Sequence, residues 1–142
     1  MLRQGEDEHS PQKRLSDLER LVANGAQQPP IELEVLGELD DVAPPIQTAV
    51  FRIAQEATTN ARRHARRATR ITIRVEEDNQ DVMVTVADDG DASYSDPKSS
   101  SGYGLVGMAE RASLHGGSLD AGPNRGRGWT VKAVLPKQGQ HR

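Results

Sequence analysis

The chain has 142 residues, of which 35% are hydrophobic, 27% charged and 3% aromatic, with a net charge of −3 and no cysteine. That length suits one domain whose core is built from Val, Ile, Leu and Ala. The absence of cysteine excludes a disulfide scaffold, a thiolate metal site and a cysteine nucleophile, and the acidic balance argues against general affinity for nucleic acid.

No apolar run is long enough for direct membrane insertion, and no N-terminal segment reads as a signal peptide, so a soluble domain in a reducing compartment is expected. The average charge hides a segregation. Residues 1–45 carry ten acids against four bases, whereas residues 46–70 carry six arginines and one acid, Glu56.

Residues 1–14 are polar and patternless and read as a linker or arm. Leu15, Leu18, Leu21 and Val22 recur at helical spacing, and Asn24-Gly25 supplies a stop. After Pro29-Pro30, the alternation of Ile31, Leu33 and Val35 with Glu32 and Glu34 predicts a half-buried strand. The longest helical signal runs from about Ile46 to Ala68, with Pro45 near its start, where a missing N–H is harmless. Ile71, Ile73 and Val75, a polar turn over Glu77–Gln80, then Val82, Val84 and Val86 predict an antiparallel hairpin running into Asp88-Asp89-Gly90.

Residues 91–101 are Ser-rich and read as a loop. A helix of about Leu105 to His115 follows, closed by Gly116-Gly117. A strand from Ser118, a turn region at Gly122–Gly128, a strand from Trp129 to Leu135 and a polar tail at 137–142 complete the chain. Paired strands with interspersed helices predict an α+β fold: a two-layer sandwich, its mixed, mostly antiparallel sheet covered by helices on one face.

Three constellations could carry chemistry. Glu56, Asn60 and His64, with Arg63 beside the last, share one stripe at the margin of the long helix's apolar face. Such a stripe is either a solvated face with i,i+4 pairs or the lining of a pocket. In the second case the Asn oxygen suits Mg²⁺, the cations suit phosphates, and the carboxylate could orient or deprotonate a nucleophile. Asp88-Asp89-Gly90 at a strand end is either a turn or a carboxylate placed to accept a hydrogen bond from the six-amino group of adenine, which guanine lacks. Gly102-x-Gly104-x-x-Gly107 before a helix is either a hinge or a phosphate cradle. It follows a loop instead of a strand, which argues against a dinucleotide fold.

In this order the three are more specific than any one alone. Gln55-Glu-Ala-Thr-Thr-Asn60-Ala-Arg-Arg-His64-Ala65 resembles the N box of the GHKL ATPase superfamily, Asp88-Asp-Gly90 its G1 box, and Gly102-Tyr-Gly104-Leu-Val-Gly107-Met108 its G2 box. Gly104 to Arg111 is similar, more narrowly, to the catalytic domain of bacterial two-component sensor histidine kinases whose partners are NarL-type response regulators. Gly116-Gly117 and the closing stretch Gly128 to Pro136 fit the same pattern, so the resemblance covers about Leu15 to Pro136.

The resemblance implies the Bergerat ATP-binding sandwich, with ATP and Mg²⁺ as cofactors. It implies that Asn60 coordinates Mg²⁺, Glu56 acts as base or orienting group, Arg63 and His64 lie near phosphates, Asp88 reads the adenine amino group, and Gly90 lets the base lie close. Residues 91–101 would be the ATP lid, and Gly102, Tyr103, Gly104 and Leu105 would cradle the phosphates. Two positions depart from the pattern: Ala92 stands at the second glycine of the G1 box, which bears on lid flexibility, and Trp129 replaces a Thr. Simple core filling is the expectation for Trp129.

The four histidines are His9, His64, His115 and His141, and none has the setting of a phosphoacceptor on a dimerisation helix. The implied protein is therefore the cytoplasmic catalytic part of a membrane-bound kinase, inactive or weakly active alone. It would deliver the γ-phosphate to a histidine on a separate dimerisation domain. An anti-sigma-factor-type serine kinase of the same fold is the alternative. A nucleic-acid role for Arg62, Arg63, Arg66, Arg67 and Arg70 is disfavoured by their spread over several helix faces and the lack of aromatic platforms.

Overall fold

In the computed structural model, which describes residues 17–23, 29–37, 39, 41–64, 67–91 and 105–139, the elements run α1 (Asp17–Ala23), β1 (Ile31–Leu36), α2 (Pro44–His64), β2 (Ile71–Glu77), β3 (Asp81–Asp88), α3 (Leu105–Leu114), β4 (Ser118–Pro123) and β5 (Trp129–Pro136). The arm at 1–14, residues 92–101 of the expected lid, and Gly102, Tyr103 and Gly104 lie outside the described residues.

The five strands form one sheet in the order β1-β2-β3-β5-β4. β1 and β2 are parallel, and the other pairs are antiparallel. Strand parity then separates two faces. Ile71, Ile73 and Val75 of β2, Val82, Val84 and Val86 of β3, and Val131, Ala133 and Leu135 of β5 are all buried. They meet Ile46, Ala49, Val50, Ile53, Ala54, Ala57 and Ala61 of α2, and Met108 and Ala112 of α3. The opposite face carries exposed Arg74 and Lys132 and half-buried Thr72 and Thr85. This is the expected mixed, mostly antiparallel two-layer sandwich.

Local chemistry explains the boundaries. Ala43 accepts the N–H groups of Ile46 and Gln47 through its carbonyl, so Pro44 and Pro45 occupy the first helical positions, where no donor is needed. α2 ends at His64, one turn before the end expected from the alanine spacing. Arg67 adopts a left-handed φ of 60°, and the N–H groups of Thr69 and Arg70 donate to Asp89 Oδ1 at 2.7 and 3.2 Å. The backbone is thereby turned out of the helix and fed into β2.

The hairpin turn is fixed by Asp78, whose Oδ1 accepts the N–H groups of Gln80 and Asp81 at 2.8 Å each, which holds its carboxyl below the ordinary value. α3 closes with Gly116 at φ 86° and a hydrogen bond from Gly117 N to the Ala112 carbonyl, a Schellman ending. A Cβ on Gly117 would lie 2.1 Å from the Val134 carbonyl oxygen, so only glycine lets the chain pass this close to β5.

Two expectations need correction. β1 is an edge strand, and of its three alternating apolar residues only Ile31 is buried; Val35 is 44% exposed. Its seven-residue neighbour α1 is too short to cover the whole strand. Lys137, expected in the polar tail, is buried and belongs to the domain. Its backbone N–H donates to the Gln80 carbonyl and its carbonyl accepts from Ala43 N, so it is tied to both the hairpin turn and the start of α2.

Candidate functional site

Topology directs Asn60, Asp88 and the start of α3 to one end of the sheet; Gly102 and Gly104 lie outside the described residues. α2 starts beside Lys137 and the β2–β3 turn and runs in the direction of β3. About 24 Å of helix separates Pro44 from Asn60, and about 23 Å of strand separates Asp81 from Asp88. The short exit from α2 leads into Ile71, the register partner of Asp88. α3 joins β4 at Ser118, which pairs with Val134 near the opposite end, so the N-terminal end of α3 at Leu105 faces back toward Asp88. The chain leaves β3 at this end and re-enters there at α3.

Asp88 takes the fourth inward position of β3, after Val82, Val84 and Val86. Its cross-strand neighbours are Ile71 on one side and Trp129 on the other. Only 6% of the residue is exposed. Burial among these apolar neighbours raises its carboxyl above the ordinary value. The Gly90 N–H, 2.8 Å from Oδ1, and the Trp129 N–H act in the opposite direction, favouring the ionised form.

Asp89 has the opposite parity and a different task. Beyond the two N–H groups above, it accepts the Thr69 hydroxyl, and its carbonyl accepts from Arg127 Nε at 3.0 Å. Desolvation pushes its carboxyl up, but the bonds from the Thr69 hydroxyl and from the Thr69 and Arg70 N–H groups together hold it below the ordinary value. Asp89 thus ties the end of β3 to the entry of β2 and to the β4–β5 turn. That turn is closed by Asn124, whose N–H donates to the Gly128 carbonyl at 2.9 Å and whose Oδ1 accepts from Thr130 Oγ1 at 2.6 Å. Gly128 has φ 97°, and a Cβ there would lie 2.1 Å from the Asp88 carbonyl oxygen. Glycine is therefore required for the turn to press against Asp88.

On α2, Glu56 and Asn60 are half-buried at the margin of the apolar face, and Arg63 is exposed. Glu56 Oε1 is buried and has no hydrogen-bond partner among the described residues. His64 ends α2, and its side chain lies outside the described residues. Thr58, buried between them, returns its hydroxyl to the Ala54 carbonyl at 2.7 Å and so stays inside the helix. Gly90 is buried beside Asp88, and Leu105 opens α3 half-buried.

Sequence reasoning singled out Asp88 and missed the framework that holds it: Thr69, Asp89, Asn124 and Arg127. Parity along β3 is the signal that separates the inward Asp88 from the outward Asp89. A hard oxygen at Asn60 and an orphaned carboxylate oxygen at Glu56 form a donor set that fits Mg²⁺ better than a softer metal. Among the described residues no three His, Cys, Asp or Glu side chains cluster as a metal cage. No helix among them is long and apolar enough to cross a membrane.

Residues 46–139 match the family model described as histidine kinase-, DNA gyrase B-, and HSP90-like ATPase. The chain is 32% identical over 111 residues to the signal transduction histidine-protein kinase/phosphatase DegS of Bacillus subtilis, covering 75% of this chain and 29% of DegS. It is 35% identical over 107 residues to the sensor histidine kinase YxjM of the same organism, covering 75% of this chain and 25% of YxjM. It is 33% identical over 125 residues to the sensor histidine kinase MctS of Rhizobium johnstonii, covering 84% of this chain and 27% of MctS. The chain therefore spans under a third of the length of these curated relatives.

Among solved structures, the nucleotide-free catalytic domain of histidine kinase ThkA shares the fold with a TM-score of 0.65 at 18% identity, over 89% of this chain and 92% of that one. The histidine kinase domain of the E. coli osmosensor EnvZ does so with a TM-score of 0.61 at 18% identity, over 90% of this chain and 88% of that one. With the sandwich in place and more than half of its residues matched, the chain belongs to the histidine kinase-, DNA gyrase B- and HSP90-like ATPase family.

Proposed function

We propose that this chain is the ATP-binding catalytic domain of a sensor histidine kinase, working in the cytoplasm. Its task is to present the γ-phosphate of ATP to a histidine on a dimerisation domain, from which a response regulator of the NarL type is served. What supports the reading is the topology, which runs α2 toward Asn60 and β3 toward Asp88 in the same direction and turns the N-terminal end of α3 back toward that end.

Asp88 accepts the six-amino group of adenine, and its buried frame makes that acceptor selective, since a guanine carbonyl there would face a carboxylate. Gly90 leaves room for the base. The α3 N-terminus and the glycines before it, Gly102 and Gly104, offer N–H groups to phosphate oxygens, with Tyr103 and Leu105 flanking them. Arg63 adds positive charge, and His64 follows it near the phosphates. Asn60 would hold Mg²⁺, and Glu56 stands one helical turn before it. When bound, Mg²⁺ neutralises phosphate charge and lowers the cost of its redistribution during transfer. Glu56 orients the incoming imidazole or takes its proton. The rate enhancement on this chain comes from positioning, with no covalent intermediate on its own residues.

Calorimetry tests the reading directly. ATP binds the wild-type chain, and more tightly with Mg²⁺. Asn60→Ala, folded by circular dichroism, loses the Mg²⁺-dependent part by more than tenfold, about 1.4 kcal/mol. Unchanged Mg²⁺-ATP affinity in that variant removes the assignment. Incubation with labelled ATP and a separate dimerisation domain then places the label on histidine; label on serine would favour the anti-sigma alternative.

A further inference from the structure

Trp129, the chain's single tryptophan, stands directly opposite Asp88 in the β3–β5 ladder. Directly opposed residues of an antiparallel pair project from the same face, with Cβ atoms about 5 Å apart. Trp129 therefore lies on the helix-covered face, beside the carboxyl of Asp88. The row across the sheet at this level reads Ile71, Asp88, Trp129, Pro123, and it is the last row before β3 ends.

The inward residues further along β5, namely Val131, Ala133 and Leu135, are all buried. Trp129 continues their parity and packs against the core, yet it remains half-exposed. Core filling accounts for its buried part and leaves the exposed part unexplained. Its backbone is held firmly, because Gly128 presses on the Asp88 carbonyl and the Asn124 turn closes behind it. A large aromatic side chain is thus fixed next to the buried carboxylate of Asp88 at the end of β3. Aromatic rings contribute to base binding through ring contact regardless of which base is bound, while a carboxylate chooses the amino group.

We infer, resting on the nucleotide reading above, that Trp129 is a base-binding residue, an aromatic wall on which the purine ring lies while Asp88 takes its amino group. The two residues divide the recognition between them: the indole supplies affinity for any purine, and the carboxylate supplies the preference for adenine. The ligand class is a purine nucleoside, with or without its phosphates.

The test uses the 142-residue chain, excited at the red edge of the indole band so that its one tryptophan, and neither of its two tyrosines, is read. Calorimetry first establishes that ATP binds. ATP and adenosine then both change the Trp129 emission, whereas tripolyphosphate, which has no base, does not. Trp129→Leu weakens both ATP and adenosine about tenfold and leaves tripolyphosphate unaffected, and Trp129→Phe recovers most of the loss. Calorimetric binding of ATP with unchanged emission overturns the inference, as does an equal response to tripolyphosphate or wild-type adenosine affinity in Trp129→Leu. If Trp129→Leu fails to fold, the three-ligand comparison on the wild type still decides. Absence of any ATP binding overturns the nucleotide reading and this inference with it.

Discussion

At the Asp81 end of the sheet, Lys137 Nζ donates to Glu77 Oε1 at 2.6 Å and to the Asp78 carbonyl at 3.0 Å, and lies 3.0 Å from Asp41 Oδ2. Its backbone joins the hairpin turn to the start of α2. The buried charge is matched by two carboxylates and a carbonyl. At the Asp88 end, a carboxylate sits among Ile71, Val86 and Trp129, and Glu56 Oε1 is buried without a partner among the described residues. The first end matches its buried charge with carboxylates; the second holds a buried carboxylate met by backbone N–H groups alone and one Glu56 oxygen with no partner among the described residues. Saturated polar clusters stabilise a fold, whereas desolvated, under-satisfied groups mark the place where a ligand is received.

The contrast can be broken most severely at Gly128. Gly128→Ala puts a Cβ 2.1 Å from the Asp88 carbonyl oxygen at a positive φ. A destabilisation of about 2–4 kcal/mol is expected by urea denaturation, with loss of ATP binding because Asp88 is displaced. Full stability with full binding would show that the turn does not hold Asp88.

At the other end, Lys137→Met leaves Glu77 half-buried without its cation. A melting temperature several degrees lower is expected, with ATP affinity within about twofold of wild type. The sign with pH follows from the raised pKa of Lys137. Its stabilisation is complete below the ordinary value of 10.5 and is lost as pH rises through the higher native value. On the alkaline side, the gap in melting temperature between wild type and variant therefore closes as pH rises through the native lysine value.

The smallest effect belongs to Asp88→Asn in the absence of nucleotide. The native carboxyl titrates above its ordinary 3.8, so its ionised form costs stability at neutral pH. That cost fades as pH falls through the native value and is gone below the ordinary one. The variant should melt slightly higher than wild type at pH 7, and the difference should shrink on acidification. Its preference for ATP over GTP should fall at the same time. A variant less stable at pH 7 would mean that the carboxylate is a structural element like Lys137.

The strand pairs, the hairpin, the α3 ending and the core were legible because each rests on local periodicity or on a glycine at a defined place. The end of α2 was not: Ala65 and Ala68 continue the helical spacing, and what stops the helix is Asp89, twenty residues from Thr69 in sequence. Lys137 looked like tail because its partners, Asp41, Glu77 and Asp78, are distant along the chain. Asp88 and Asp89 read as one unit in sequence, and the sheet sends them to opposite faces.

Local order alone determined which residues alternate, where chain reversals fall and which motifs follow one another, since propensity, parity and turn chemistry act over a few residues. Only the folded sheet decided which of two adjacent carboxylates is desolvated, which lysine is interior and which side chain stands beside Asp88. Burial and charge pairing depend on what arrives from elsewhere in the chain, and β-sheet register, set by the whole hydrophobic pattern, is what brings it there.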